Sequence, residues 1–152
     1  MINNFQTLEN EFNSIITKVL NKEGLYIKTS SNVTTYKKYV IIKKDNAYII
    51  KHNDKTIYKC CLKVVAFCVV KLHDIGNFKD IKEILHLDKQ YIKIFNRITF
   101  MTSTYQTCTD ELYKNSLEDR IEYFTSVLLQ IKQKINTIWY YSINIETVFR
   151  SG

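Results

Sequence analysis

The sequence predicts an α+β fold in which a small antiparallel sheet precedes a long helical hairpin. In the first half, short β-branched and aromatic runs alternate with Asn- and Asp-containing connections, which is typical of β-hairpins. In the last third, apolar residues recur at alternating spacings of four and three, which places them on one stripe of an α-helix. We therefore expect a three- to four-stranded antiparallel meander packed by helices, followed by a long antiparallel helical hairpin, in a single domain spanning residues 1–152.

An amphipathic helix is expected over residues 1–24. Asn3 or Asn4 is a suitable N-cap, and Gly24 is a suitable stop because glycine tolerates the left-handed conformation at a helix end. Between them the apolar residues recur at helical spacing: Phe5, Leu8, Phe12, Ile15, Ile16 and Val19. We expect this apolar face to cover the sheet that follows.

The meander is expected over residues 25–60. Three runs have the composition of strands, at residues 39–42, 47–50 and 56–58, and residues 25–28 are a candidate fourth strand. Asp45 with Asn46, and the segment 52–55, supply the turns. Because so small a sheet needs a helix packed on it, the apolar segment 61–76 is expected to be a buried helix that ends at Gly76.

The helical hairpin is expected over residues 78–138. Its second helix carries the heptad stripe Leu117, Ile121, Phe124, Leu128, Ile131, Ile135 and Ile138. A matching stripe precedes it at Ile84, Tyr91, Phe95, Ile98 and Tyr105, interrupted by Asp88 and Thr102. Two such helices joined by a short turn pack antiparallel. The remaining segment, 139–152, is expected to be a tail that docks on a neighbouring protein or folds back on its own domain.

The charge of the chain is concentrated in the meander. Between residues 25 and 63, nine lysines stand against two aspartates, a balance of +7 that equals the net charge of the whole chain. Tyrosines that could stack on bases alternate here with lysines. The lysines that could contact phosphates are Lys37, Lys38, Lys43, Lys44 and Lys51. Non-specific contact with nucleic acid is therefore the alternative function. The simpler interpretation is that these lysines protect exposed strand edges.

No catalytic motif is strong, so we expect a protein that is not an enzyme and holds no metal or cofactor. His73-Asp74 resembles the metal-binding pair of HD-domain phosphohydrolases, which makes such a hydrolase a third, less favoured function. That family also needs an upstream histidine on a helix, whereas His52 falls in a predicted turn. The four cysteines contain no CxxC pair and are expected to be reduced thiols, which together with the lack of a secretory signal indicates synthesis in a cytoplasm.

Three short strings connect the chain with a known group of proteins. A basic meander leads into Leu62-Lys-Val-Val-Ala-Phe67, a long helix contains Leu87-Asp-Lys-Gln-Tyr91, and Glu118-Asp-Arg-Ile-Glu-Tyr123 precedes the last heptads. In this order, from about residue 40 to 138, the chain resembles small uncharacterised proteins of contractile-tailed (myovirus-type) marine phages. The resemblance implies a phage accessory or virion component, and the frequent Ile, Lys, Asn, Tyr and Phe fit an AT-rich genome.

The resulting expectation is a non-enzymatic phage structural or accessory protein. It would be made in the host cytoplasm and associated with the virion as a capsid or neck decoration. Its partners would be other virion proteins or further copies of itself, with no membrane and no small-molecule substrate. The contacts are expected through seven hairpin residues: Tyr91, Phe95, Ile98, Leu117, Ile121, Phe124 and Leu128.

Overall fold

The computed structural model describes residues 27–30 and 32–140. These residues form β1 (Ile27–Ser30), β2 (Val33–Tyr36), β3 (Tyr39–Lys44), β4 (Ala47–His52), β5 (Lys55–Cys60), α1 (Lys63–Asp74), α2 (Phe78–Thr107) and α3 (Glu111–Ile138). The predicted α+β fold is confirmed. The helix expected over residues 1–24 and most of the tail expected over 139–152 lie outside the described residues. The prediction of one domain includes both ends and stays a prediction.

The sheet is an antiparallel meander in which each strand pairs with the next along the chain. Its two-residue turns require left-handed backbone, and Asp45, Asn53 and Asp54 have φ of 57°, 51° and 67°. The sheet has one strand more than predicted, because β2 lies beyond a turn of Lys37 and Lys38. Lysine is not a typical turn residue, so nothing in the sequence indicated a turn at this point.

Helix α1 is buried on all sides, as its sequence predicts. Its residues from Val64 to Leu72 are all buried, because one side packs on β4 and β5 and another side packs on α2. A helix that is apolar all round is stable only in such an enclosed position. It ends at Asp74, and Gly76 follows with φ of 80°.

The hairpin consists of two helices of 30 and 28 residues. The Asn77 side chain caps α2 by accepting a hydrogen bond from the backbone N–H of Asp80 at 3.2 Å. Asp110 caps α3 by accepting from the N–H of Leu112 at 3.1 Å. α2 packs on both α1 and α3, so one core runs from the sheet through α1 and α2 to α3. Among the described helices, none is long and apolar enough to cross a membrane.

Candidate functional site

The seam of the hairpin contains the residues that were expected to contact a partner. Five of the seven are no more than 5% exposed: Tyr91, Ile98, Leu117, Ile121 and Leu128. Phe95 and Phe124 are half-buried against the same core. This burial follows from the two heptad stripes, which antiparallel packing brings face to face. The structure therefore places these side chains in the chain's own core, and the surface that a partner would meet lies on other faces of the hairpin.

Large apolar side chains are exposed close to the turn of the hairpin. Phe100, two helical turns before the end of α2, is 73% exposed, whereas Leu112 and Tyr113, in the first turn of α3, are 83% and 48% exposed. We call these three residues the hairpin tip. Large apolar and aromatic side chains of this kind are the ones that protein–protein interfaces bury at their centres. The two heptad stripes do not include the hairpin tip, because its residues fall outside the seam register.

Asp88, which interrupts the stripe on α2, has a partner within the chain. Its side chain is 2% exposed, and its two oxygens accept hydrogen bonds from the backbone N–H groups of Cys61 and Leu62 at 2.9–3.2 Å. Burial raises the pKa of this carboxyl, while the two N–H groups oppose the rise. Asp88 therefore joins α2 to the start of α1, and this seam position needs no second protein.

The five lysines proposed to contact nucleic acid do not share one surface. Lys37 and Lys38 form the β2–β3 turn, and Lys37 makes an ion pair of 2.8 Å with Asp74. On β3, Lys43 lies on the same face as the buried Ile41, which is the face towards α1. Lys44 points to the opposite face because side chains alternate along a strand. Lys51 on β4 pairs with Val40 and shares the face of Lys44.

A cleft of ≈ 560 Å³ opens where the β3–β4 turn approaches α2. Leu62 and Ile92 form its apolar part, and the rings of Tyr48 and Phe95 line it. The polar groups that line it are Lys43, Asp45, Asn46, Cys61, Lys63 and Asn96. The sequence offers no signal for this arrangement, because three segments far apart in the chain contribute to it.

The His73-Asp74 pair lies in an aromatic cluster at the end of α1. The Tyr39 hydroxyl and His73 Nδ1 share a hydrogen bond of 2.5 Å. The His52 ring stacks on Tyr39 with 4.2 Å between ring centroids and lies 5.2 Å from the His73 ring. Burial and the neighbouring His52 lower the pKa of His73, although Asp74 acts in the opposite direction. Burial also raises the pKa of Tyr39 to about 12, so its hydroxyl stays protonated at neutral pH.

Asp74 is held by two residues of the same corner, and a third residue supports one of them. It accepts hydrogen bonds from Lys37 at 2.8 Å and from the Tyr36 hydroxyl at 3.3 Å, while the buried Lys71 donates to that hydroxyl at 3.5 Å. Burial alone would raise the pKa of Asp74, but the hydrogen bond and charge of Lys37 outweigh it and lower the pKa. The carboxylate thus pairs with Lys37 and anchors the β2–β3 turn to α1.

These contacts give little support to an HD-type metal site. His73 Nδ1 and the carboxylate of Asp74 both bind protein groups, and His52 lies at the end of a strand. In the part of the chain that the structure describes, no group of three or more His, Cys, Asp or Glu could hold a metal ion. All four cysteines are free thiols, and burial raises the pKa of Cys60 and Cys68.

The chain matches no protein-family model, and neither a curated protein nor a solved structure is significantly similar to it. Its function must therefore be inferred from the sequence and the surfaces of the chain itself.

Proposed function

We propose that this protein is a non-enzymatic structural or accessory component of a phage particle. It would act through protein–protein contacts of its helical hairpin, attached to the capsid or neck. The observation that carries the interaction role is the hairpin tip, where three large apolar side chains meet solvent beside the turn. The assignment to a virion rests on the sequence resemblance to phage proteins.

The hairpin tip has the composition of a binding surface. Aromatic side chains are enriched in the centres of interfaces, and the most important ones cost about 2 kcal/mol or more when truncated. The tip is held in place by core contacts farther along the same helices, such as Ile98 and Leu117, which are each 2% exposed. A rigid support lowers the entropic cost of binding.

Incorporation into particles tests this function. Tagged protein is produced during infection, particles are purified, and the protein is quantified by mass spectrometry. The variant Phe100→Ser/Leu112→Ser/Tyr113→Ser should be incorporated at least tenfold less than the wild type while keeping its circular dichroism spectrum. Gln90→Ser, at an exposed position on α2 away from the turn, is the matched control. Wild-type protein that is missing from particles would contradict the virion assignment.

The second candidate function is binding of nucleic acid by the lysine-rich sheet. The lysines Lys38, Lys43 and Lys44 are exposed, and the cleft beside β3 combines cationic, aromatic and amide groups. This function predicts an affinity for a labelled single-stranded oligonucleotide that falls steeply as salt is added. Lys38→Glu/Lys43→Glu should weaken binding in fluorescence anisotropy, whereas Lys79→Glu/Lys82→Glu on the exposed face of α2 should change it less. Absence of binding at low salt would exclude this candidate.

A further inference from the structure

The cleft between the β3–β4 turn and α2 has the properties of a ligand site. Its volume of ≈ 560 Å³ is in the range of about 300–1,000 Å³ that is typical of small-molecule sites. Its lining combines apolar and aromatic residues with charged and amide groups. Such a site suits a ligand with an apolar flat part and a charged end.

We propose that this cleft binds one nucleotide unit, with the base against Tyr48 and Phe95 and the phosphate beside Lys43. The proposal rests on the second candidate function and specifies its site. Stacking of a base on an aromatic ring is sequence-tolerant, because every base has a π-face. The amides of Asn46 and Asn96 can donate to and accept from a base edge.

The charge of the cleft favours an anionic ligand. Lys43 and Lys63 line it together with a single carboxylate, Asp45, so the lining has a surplus of positive charge. Lys43 pairs across the strands with Tyr48, which places a cation next to an aromatic ring. Burial raises the pKa of the Tyr48 phenol, so at neutral pH this ring adds no negative charge.

Cys61 provides a reporter within the cleft. Its side chain lines the cleft and the residue is exposed, whereas Cys108 lies at the turn of the hairpin and serves as an internal reference. The protein is alkylated in low salt with AMP, with a 15-nucleotide single-stranded oligonucleotide, or with neither, and the modified peptides are quantified by mass spectrometry. We expect the ligand to slow alkylation of Cys61 at least fivefold and to leave Cys108 unchanged.

Two adjacent lysines supply a matched pair of variants. Lys43→Glu and Lys44→Glu make the same charge change at neighbouring residues on opposite faces of β3. We expect Lys43→Glu to weaken binding at least tenfold and Lys44→Glu to weaken it less than threefold. Asn96→Trp, which fills the cleft from an exposed position on α2, should also abolish protection of Cys61.

The outcomes separate the sources of the ligand. Protection by AMP supports a site for free nucleotides, and protection by the oligonucleotide alone supports a site for one unit of a strand. If the oligonucleotide binds but Cys61 is not protected, or if Lys43→Glu and Lys44→Glu weaken binding equally, the cleft proposal is overturned while the second candidate function stands. If neither ligand binds at low salt, both are overturned.

Discussion

Helices α1 and α3 bury apolar side chains in two different ways. In α1, nine of twelve residues are buried, because the sheet and α2 enclose it. In α3, six of 28 residues are buried, and all six lie on the stripe that faces α2. α1 therefore packs into the core on all sides. α3 packs one stripe into the core and leaves its other faces for solvent or a partner.

The same difference in burial indicates which regions are available for binding. A helix enclosed on all sides offers little surface to a partner, so among the described residues around α1 the candidate contacts are the cleft and the sheet lysines. The hairpin, in contrast, presents the exposed Phe100, Leu112 and Tyr113 at its turn. Variants that compare α1 with the hairpin should therefore separate effects on stability from effects on binding.

The largest expected effect compares equal truncations in the two helices. Leu72 in α1 is 0% exposed and Leu117 in α3 is 2% exposed. Leu72→Ala should lose about 4 kcal/mol of unfolding free energy and Leu117→Ala about 2.5 kcal/mol, because a helix enclosed by two layers relaxes less into a cavity. Urea denaturation measures both. Equal losses would mean that the hairpin seam is as rigid as the centre of the core.

The contact between the start of α1 and the hairpin depends on Asp88. Asp88→Ala leaves the N–H groups of Cys61 and Leu62 without their acceptor, so we expect a loss of about 3 kcal/mol. Asp88→Asn keeps one acceptor oxygen and should lose roughly half as much. Asp119→Ala, at an exposed position on α3, is the control and should change stability by less than about 0.5 kcal/mol. If Asp88→Ala were as stable as this control, the carboxylate would not hold α1 to α2.

The period of the apolar pattern predicted much of this architecture. The four-three spacing of Leu117, Ile121 and Phe124 predicted a seam with one partner helix, and the unbroken apolar run from Val64 to Val70 predicted an enclosed helix. The role of Asp88 was not predictable, because its partners are backbone groups 26 and 27 residues earlier in the chain. A periodic pattern identifies the buried face of a helix but not what a polar interruption contacts.

The candidate sites were less accessible to sequence reasoning than the fold. The lysines of the basic segment were expected to contact nucleic acid together, but strand alternation sends Lys43 and Lys44 to opposite faces of β3. The hairpin tip consists of exposed apolar residues, which a search for buried stripes passes over. Both features depend on which surface remains uncovered after packing.

The stability contributed by the corner of the sheet at the end of α1 should depend on pH. Because the pKa of His73 is lowered on folding, the unfolded chain binds a proton first as the pH falls below about 6.5. Stability is therefore present above this pH and is lost as the pH falls towards the folded pKa. The groups that face His73 are Tyr39 and His52 from the sheet, Tyr58 from β5, Phe78 from α2 and its neighbour Asp74. The nearby cations are Lys37 and Lys71, which bind Asp74 and Tyr36.

Removing the imidazole of His73 should reduce the pH dependence of stability. His73→Gln should cost about 1 kcal/mol at pH 7 through the lost hydrogen bond to Tyr39, and the difference from the wild type should shrink at pH 5. Urea denaturation at both values measures the difference. His86→Gln, at an exposed position on α2, should keep the wild-type slope. A constant difference between His73→Gln and the wild type at the two pH values would rule out the proposed linkage.

The smallest effect concerns Lys37, which combines a strained backbone with an ion pair. Its φ of 52° costs a residue other than glycine about 1 kcal/mol, whereas its half-exposed ion pair with Asp74 contributes up to about 1 kcal/mol. Lys37→Ala loses the ion pair and keeps the strain, so it should be less stable by about 0.5–1 kcal/mol. Lys37→Gly loses the same ion pair but relieves the strain, so its thermal stability should stay close to that of the wild type. If the two variants were equally destabilised, the left-handed turn would carry no strain, and the stability of this corner would come from the Lys37–Asp74 contact alone.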